Sequence, residues 1–92
     1  SRLRAKRDAL REKHGRSVAL APKIAPDLDG ASVRAIADVL RRSGMDGVIA
    51  TNTTVSREAV KDLPHGTEEG GLSGAPLRAR SLGVLRELAA SL

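Results

Sequence analysis

Small polar side chains follow directly on a short apolar run near the middle of the sequence. The run Val48–Ala50 ends in four polar residues, 51–54, which read Thr-Asn-Thr-Thr. A buried strand that ends in hydroxyls and a carboxamide presents these groups at the C-terminal edge of an α/β sheet, where such proteins place their chemistry. The alternative is an ordinary turn, because Asn and Thr also form hydrogen bonds to nearby backbone. The octapeptide 47–54 alone leaves both interpretations open.

A lysine interrupts a second apolar stretch, Val18–Ala25. The length of this stretch and its bounds, Gly15 and Pro26, predict a strand that is buried on both faces. Pro22 cannot donate a ladder hydrogen bond, so it indicates a strand end, an edge or a bulge. Because a charge is costly to bury without a partner, Lys23 must either extend its ammonium group to solvent or meet an anion.

A glycine-rich stretch, Gly70–Gly74, lies in the long connection from Val55 to about Arg78. A loop of more than about 15 residues in a compact unit is usually functional or disordered. Three glycines in five positions are typical of backbone that approaches a phosphate or a ring closely, and equally of a flexible loop tip. The two histidines, His14 and His65, have no carboxylate pattern around them, so no metal site is predicted.

The elements that position these stretches alternate between helix and strand. Three segments consist of good helix formers or have a helical apolar face: Arg2 to about His14, Ala31–Ser43 and Ser81–Ala90. Asp29 is in place to act as N-cap of the middle helix. A strand, an amphipathic helix and a second strand, joined by short links, form a βαβ unit whose strands run parallel.

Composition limits what the chain can form by itself. The 92 residues contain no Phe, Tyr, Trp or Cys and only one methionine, Met45. Any core must therefore be built from Leu, Ile, Val and Ala, and neither a disulfide nor a thiolate metal site can stabilise it. We therefore expect the chain to be a segment of a larger domain.

The net charge of +5 is confined to residues 1–16, most of which form the first helix. Residues 1–16 contain seven Lys or Arg and two acidic residues, and the other residues are balanced. We interpret this charge as a solvated helix face rather than a nucleic-acid surface, since no aromatic residue is present to stack on bases. No apolar run is long enough for a transmembrane helix or the core of a signal peptide, so neither is expected.

Three stretches together resemble the quinone-linked, or class 2, dihydroorotate dehydrogenases: Lys-Ile-Ala-Pro-Asp at 23–27, Ala-Thr-Asn-Thr-Thr at 50–54 and Gly-Gly-Leu-Ser-Gly at 70–74. The similarity runs from about Val18 to Leu77. These enzymes are flavoproteins of pyrimidine biosynthesis with a (β/α)8 barrel. The resemblance implies an α/β fold that is part of a TIM barrel, with about two consecutive βα units. Residues 1–92 would then form an incomplete segment of one FMN-binding barrel domain.

The resemblance also implies site residues. Lys23, Thr51 and Gly74 would bind FMN, and Asn52 and Thr53 would bind the pyrimidine substrate. A fixed cation near the flavin ring stabilises the negative charge that develops when hydride arrives. A carboxamide offers both a donor and an acceptor to the alternating N–H and C=O groups of a dihydropyrimidinedione. The family usually has an aliphatic residue before the lysine, so the proline at 22 is a departure that questions regular strand pairing there.

The implied reaction is the oxidation of dihydroorotate to orotate, with hydride transferred to FMN and electrons passed to a quinone. The family's catalytic serine is expected upstream, and its FMN-phosphate site downstream, so no catalytic residue is assigned within 1–92. We expect the full enzyme to associate peripherally with a membrane, at its cytoplasmic face in a bacterium, and to bind no nucleic acid. The alternatives are a non-catalytic isolated barrel fragment and, more remotely, a basic-helix interaction module.

Overall fold

Three helices and a two-stranded parallel sheet form the chain. The structure is a computed structural model that describes all residues from 1 to 92. In chain order the elements are α1 (Arg2–His14), β1 (Lys23–Ile24), α2 (Gly30–Ser43), β2 (Ile49–Ala50) and α3 (Ala75–Ser91). The order β1–α2–β2, with parallel pairing of the two strands, confirms the predicted βαβ unit.

The strands are shorter than predicted. Lys23 pairs with Ile49 and Ile24 with Ala50, and residues 18–22 and Ala25 lie outside β1. One reason is that Pro22 has no N–H to donate, although its carbonyl accepts from the Ile49 N–H at 2.8 Å. The departure at Pro22 therefore coincides with the point where regular pairing begins.

The helices follow their capping signals. Helix α1 ends at Gly15, whose φ of 68° lies in the left-handed region that favours glycine. Helix α2 begins one residue earlier than predicted, and the Asp29 carboxylate accepts from the Ser32 N–H at 2.7 Å as its N-cap.

Helix α3 begins at Ala75, six residues before the predicted start at Ser81. Pro76 lies in the first turn of α3, where a helix leaves its N–H groups unpaired and tolerates proline. The predicted connection from Val55 to about Arg78 includes this proline and is therefore wrong at its C-terminal end. The long connection therefore ends at Gly74.

The core lies on one face of the sheet, between α2 and α3. Four side chains are fully buried there: Val33, Ala37, Val84 and Leu88. Ile24 and Ala50, which are register partners, pack against this core. Because side chains alternate along a strand, the other register pair, Lys23 and Ile49, faces away from the helices. Both of these residues are exposed, Ile49 to 49%.

Helix α1 contributes no buried residue and is attached through two arginines. Arg4 Nη1 donates to the Ser43 carbonyl at 3.1 Å, where a cation complements the C-terminus of α2. Arg7 Nη1 lies 2.6 Å from Asp46 Oδ2. Two of the basic residues of α1 thus serve contacts within the fold. No helix is both long and apolar enough to cross a membrane.

Candidate functional site at the C-terminal edge of the sheet

The three stretches singled out in the sequence meet at the C-terminal edge of the sheet. The Asn52 N–H donates to the Ile24 carbonyl at 2.7 Å, which joins the second stretch to the first. Thr54 and Leu72 exchange two backbone hydrogen bonds, of 3.0 and 2.8 Å, which join the second stretch to the third. Segments that are distant along the chain therefore form one surface.

Lys23 begins β1 on the face opposite the core. Its side chain is exposed, and its ammonium group forms no salt bridge or hydrogen bond with the rest of the chain. Its register partner Ile49 is an exposed apolar residue on the same face. In this structure the Lys23 ammonium group extends to solvent, the first of the two interpretations, and its contact with an anion stays a prediction.

Asn52 and Thr53 follow β2 after one intervening residue, Thr51, and both are exposed. The Thr53 N–H donates to Asn52 Oδ1 at 2.9 Å, which restrains the carboxamide. Thr53 also lies against Gly71, where an added Cβ would stand 1.9 Å from Thr53 Oγ1. The glycine-rich stretch therefore makes a close approach to Thr53, and Gly71 is the residue that permits it.

The other two predicted FMN-binding residues differ in their surroundings. The Thr51 hydroxyl is held within the chain, 3.0 Å from the Asn52 carbonyl oxygen and 3.2 Å from Ser81 Oγ of α3. Gly74 precedes α3 with a φ of 81°, a conformation that favours glycine regardless of the space around it. Their contacts with a cofactor stay predictions.

The carboxylate of Asp27, at the end of the first stretch, forms hydrogen bonds with the second stretch and with α3. We call this the Asp27 cluster, formed by Asp27, Thr54 and Arg80. Thr54 Oγ1 donates a short hydrogen bond to Asp27 Oδ1, and Arg80 Nη1 donates to the same oxygen at 2.7 Å. The other oxygen, Oδ2, accepts from the Val55 N–H at 3.2 Å. The hydrogen bond from Thr54 is the main cause that lowers the pKa of Asp27, and Val55 and Arg80 lower it further.

Sequence reasoning missed this cluster. In the sequence, Asp27 is only a neighbour of the α2 N-cap Asp29, and no pattern gives a role to Thr54 or Arg80. The partners of Asp27 lie 27 and 53 residues away along the chain, so no local pattern joins them. The one available signal was the fourth polar residue of the Thr-Asn-Thr-Thr run.

The largest cavity, of about 650 Å³, opens on the helix side of the sheet. Residues at the start of α2 and along α3 line it together with Asp27 and Arg80. Lys23, Asn52 and Thr53 do not line it. This cavity is therefore separate from these three side chains.

A parallel βαβ unit with a carboxamide and hydroxyls just after its second strand is typical of α/β proteins that bind ligands at the C-terminal ends of their strands. The sequence profile of the family described as "Dihydroorotate dehydrogenase" matches residues 3–92. The chain belongs to the dihydroorotate dehydrogenase family.

Similar curated proteins carry the name dihydroorotate dehydrogenase (quinone). The protein from Leptothrix cholodnii is 58% identical over 90 residues, which are 98% of this chain and 26% of the relative. The protein from Thiobacillus denitrificans is 54% identical over 89 residues, which are 97% of this chain and 26% of the relative. The chain thus spans about a quarter of the length of these curated relatives.

Solved structures of the family have the same fold over this region. Ligand-free dihydroorotate dehydrogenase from Eimeria tenella superposes with a TM-score of 0.74 at 42% identity, covering 83% of this chain and 21% of that chain. The complex of the Eimeria tenella enzyme with ferulenol gives a TM-score of 0.76 at 40% identity, covering 86% and 21%. The predicted fold class, part of a TIM barrel, is confirmed. Enzymes of this family are flavoproteins.

Proposed function

We propose that these 92 residues form part of an FMN-dependent dihydroorotate dehydrogenase that oxidises dihydroorotate to orotate and passes the electrons to a quinone. The observation that carries this proposal is the meeting of three family-like stretches at one sheet edge, with Asn52 and Thr53 exposed there and Lys23 exposed at the start of β1. The names of the similar curated proteins support the quinone as acceptor.

The donor set at this edge fits a flavin. An unpaired ammonium group on Lys23, beside the exposed apolar Ile49, suits a ring that is largely apolar and becomes negatively charged on reduction. FMN, when bound, supplies the acceptor for the hydride. Lys23 would then hold a positive charge near the ring, while Thr51 and Gly74 would contact the cofactor from the ends of the neighbouring segments.

Asn52 and Thr53 would hold the pyrimidine. The Asn52 Oδ1 atom accepts from the Thr53 N–H, whereas its amide nitrogen makes no hydrogen bond within the chain and is available to donate to a substrate carbonyl. The Thr53 hydroxyl can donate or accept. These two residues would orient the substrate, and orientation of reacting groups is a large part of catalysis.

No residue in 1–92 is proposed as the catalytic base. We infer that residues 1–92 alone do not catalyse the reaction. The edge carries proposed substrate and cofactor contacts, but no group in it is assigned to abstract a proton from dihydroorotate. For the complete protein we propose peripheral association with a membrane, at its cytoplasmic face in a bacterium, since a quinone acceptor is dissolved in lipid.

Replacement of the lysine tests the proposal. In the complete protein that carries this chain, Lys23→Ala should slow flavin reduction by dihydroorotate by about 100-fold or more, comparable to the loss of one preorganised electrostatic contact. Anaerobic stopped-flow absorbance of the flavin measures this rate. Lys61→Ala is the matched control, because Lys61 is an exposed lysine of the loop that contacts only Glu58, at 3.6 Å.

The control should leave the reduction rate unchanged. An unchanged rate in Lys23→Ala would refute the role of the lysine. A parent protein that binds no flavin, or whose flavin dihydroorotate does not reduce, would refute the proposed function itself.

A further inference from the structure

We propose that the Asp27 cluster is a positioning device that holds Asn52 and Thr53 in the orientation in which they meet the substrate. The inference rests on the proposed function, because it concerns the same substrate contacts. It adds Asp27, Thr54 and Arg80 to the residues on which substrate binding depends, although none of them is proposed to touch the substrate.

The segment that carries the two substrate residues is fixed at both of its ends. At one end the Asn52 N–H donates to the Ile24 carbonyl at 2.7 Å. Two residues later the Thr54 side chain is bound to Asp27. The first fixed point is Asn52 and the second is Thr54, so only Thr53 lies between them, and the Thr53 N–H in turn donates to the Asn52 carboxamide oxygen. A movement of the second fixed point therefore changes the direction of both side chains.

The second fixed point is the buried hydroxyl group of Thr54, which both donates and accepts a hydrogen bond within the chain. Thr54 is only 4% exposed. Its hydroxyl donates to Asp27 Oδ1, accepts from the Ser56 N–H at 3.0 Å and lies 3.5 Å from Arg80 Nη1. The loss of one member of such a network leaves polar groups without partners, which costs more than the average hydrogen bond contributes.

The carboxylate links three separate parts of the chain. Asp27 follows β1, its Oδ2 atom accepts from the backbone just after Thr54, and its Oδ1 atom accepts from Arg80 of α3 at 2.7 Å. The lowered pKa of Asp27 agrees with a carboxylate that stays ionised in the folded protein. Charge-assisted hydrogen bonds of this kind are stronger and more directional than neutral ones.

The three members of the cluster are positioning residues rather than ligand contacts. Thr54 is buried, and its hydroxyl already has its donor and acceptor roles filled. Asp27 and Arg80 neutralise each other. The cavity that both of them line opens on the helix side, away from Asn52 and Thr53, so we infer that they act on the substrate through those two residues.

A set of variants of the complete flavoprotein tests this role. Thr54→Val removes the hydroxyl at nearly constant volume and should weaken orotate binding by about tenfold, as expected for a lost hydrogen bond that leaves buried partners unpaired. Thr54→Ser keeps the hydroxyl and should restore affinity to within about twofold of the parent. Orotate affinity is measured by titration of the flavin absorbance, and FMN content by the same spectrum.

Glu87→Gln is the control for a general loosening of α2 against α3. Glu87 Oε1 pairs with Arg34 Nη1 at 2.9 Å and so joins these two helices, and its side chain forms no hydrogen bond with residues 51–54. This variant should bind orotate like the parent. FMN content should stay unchanged in every variant, because a purely structural defect would release the cofactor as well.

Each outcome decides the matter. Unchanged orotate affinity in folded Thr54→Val, or an equal loss in Glu87→Gln, would overturn the positioning role while leaving the proposed function intact. If Thr54→Val does not fold, Arg80→Gln decides instead, because the Arg80 side chain is 46% exposed; affinity about threefold weaker supports the role and unchanged affinity overturns it. A parent protein that binds no orotate would overturn the proposed function, and this inference with it.

Discussion

An aspartate lies at each end of the two-stranded sheet and accepts hydrogen bonds from neighbouring segments. The two aspartates differ in which segments they hold together. At the N-terminal end, Asp46 Oδ2 accepts from the Leu20 N–H at 2.7 Å and from Arg7 Nη1 at 2.6 Å. At the C-terminal end, Asp27 accepts from the Thr54 hydroxyl, the Val55 N–H and Arg80. Both carboxylates bind a backbone N–H and an arginine, and both have a lowered pKa.

The difference lies in the neighbours of each aspartate. Asp46 joins the approach to β2 with the approach to β1 and with α1, and no candidate ligand contact lies beside it. Asp27 is bound to the residue next to Thr53. A hydrogen-bonded aspartate therefore stabilises the packing of α1 and the strand approaches at the N-terminal end. At the C-terminal end a similar aspartate stabilises the segment that carries the candidate site. This agrees with the general rule for βα barrels that the C-terminal face carries function and the N-terminal face carries stability.

Among substitutions that distinguish the two ends of the sheet, we expect Gly71→Ala, at the C-terminal end, to change orotate affinity the most. A Cβ at this position would lie 1.9 Å from Thr53 Oγ1 and 2.7 Å from Thr53 Cβ. Because a β-branched side chain is stiff, Thr53 must be displaced at an overpacking cost of about 1–3 kcal/mol. We expect orotate affinity, measured by flavin titration of the complete protein, to fall by about tenfold or more.

Gly83→Ala provides the matched control for that substitution. Gly83 lies inside α3, and no atom stands within 4 Å of an added Cβ. The exchange should leave orotate affinity unchanged and raise the free energy of unfolding by about 0.5–1 kcal/mol, the difference in helix propensity. Equal orotate affinities in the two alanine variants would show that the close approach of Gly71 to Thr53 has no bearing on the site.

A smaller effect, confined to stability, is expected from Asp46→Asn at the N-terminal end. The Leu20 N–H is the main cause that lowers the pKa of Asp46 below its ordinary 3.8, with Arg7 also contributing. A carboxylate with a lowered folded-state pKa adds stability that is complete above its ordinary pKa and is lost as the pH falls through the lower folded value. The variant should unfold at a lower temperature than the parent at neutral pH, and the difference should shrink below about pH 4.

Thermal unfolding of both proteins between about pH 7 and pH 3 measures this difference. A difference that stays constant down to the lowest pH would show that the ionised carboxylate is not what stabilises this end. A change in orotate affinity in Asp46→Asn would break the division between the two ends.

The architecture was largely predictable because its signals are local. The helical face of α2, the N-cap at Asp29 and the glycines that end α1 and α2 are all read within a few residues. The start of α3 was not predictable from local signals, because a proline that begins a helix and a proline that ends a loop look alike in sequence. The length of β1 was overestimated because apolar character does not reveal where pairing partners are missing.

The candidate site was predictable in part. Because the two strands run parallel, strand order predicts that the residues after β1 and those after β2, including Asn52 and Thr53, share one edge, whereas Lys23 lies at the start of β1. The residues that hold this edge in place could not be inferred, because the contacts of Asp27 with Thr54 and Arg80 depend on tertiary packing. The close approach of Gly71 to Thr53 also depends on tertiary packing. The glycine-rich stretch predicts that its backbone approaches another group closely, but it does not identify that group as Thr53.

The most direct test compares the two aspartates in one experiment. Orotate dissociation constants are measured by flavin titration for Asp27→Asn and Asp46→Asn in the complete protein, under conditions where both variants are folded. We expect affinity about tenfold weaker in Asp27→Asn and unchanged in Asp46→Asn. Equal dissociation constants in the two variants would contradict the assignment of the site to the C-terminal edge of the sheet.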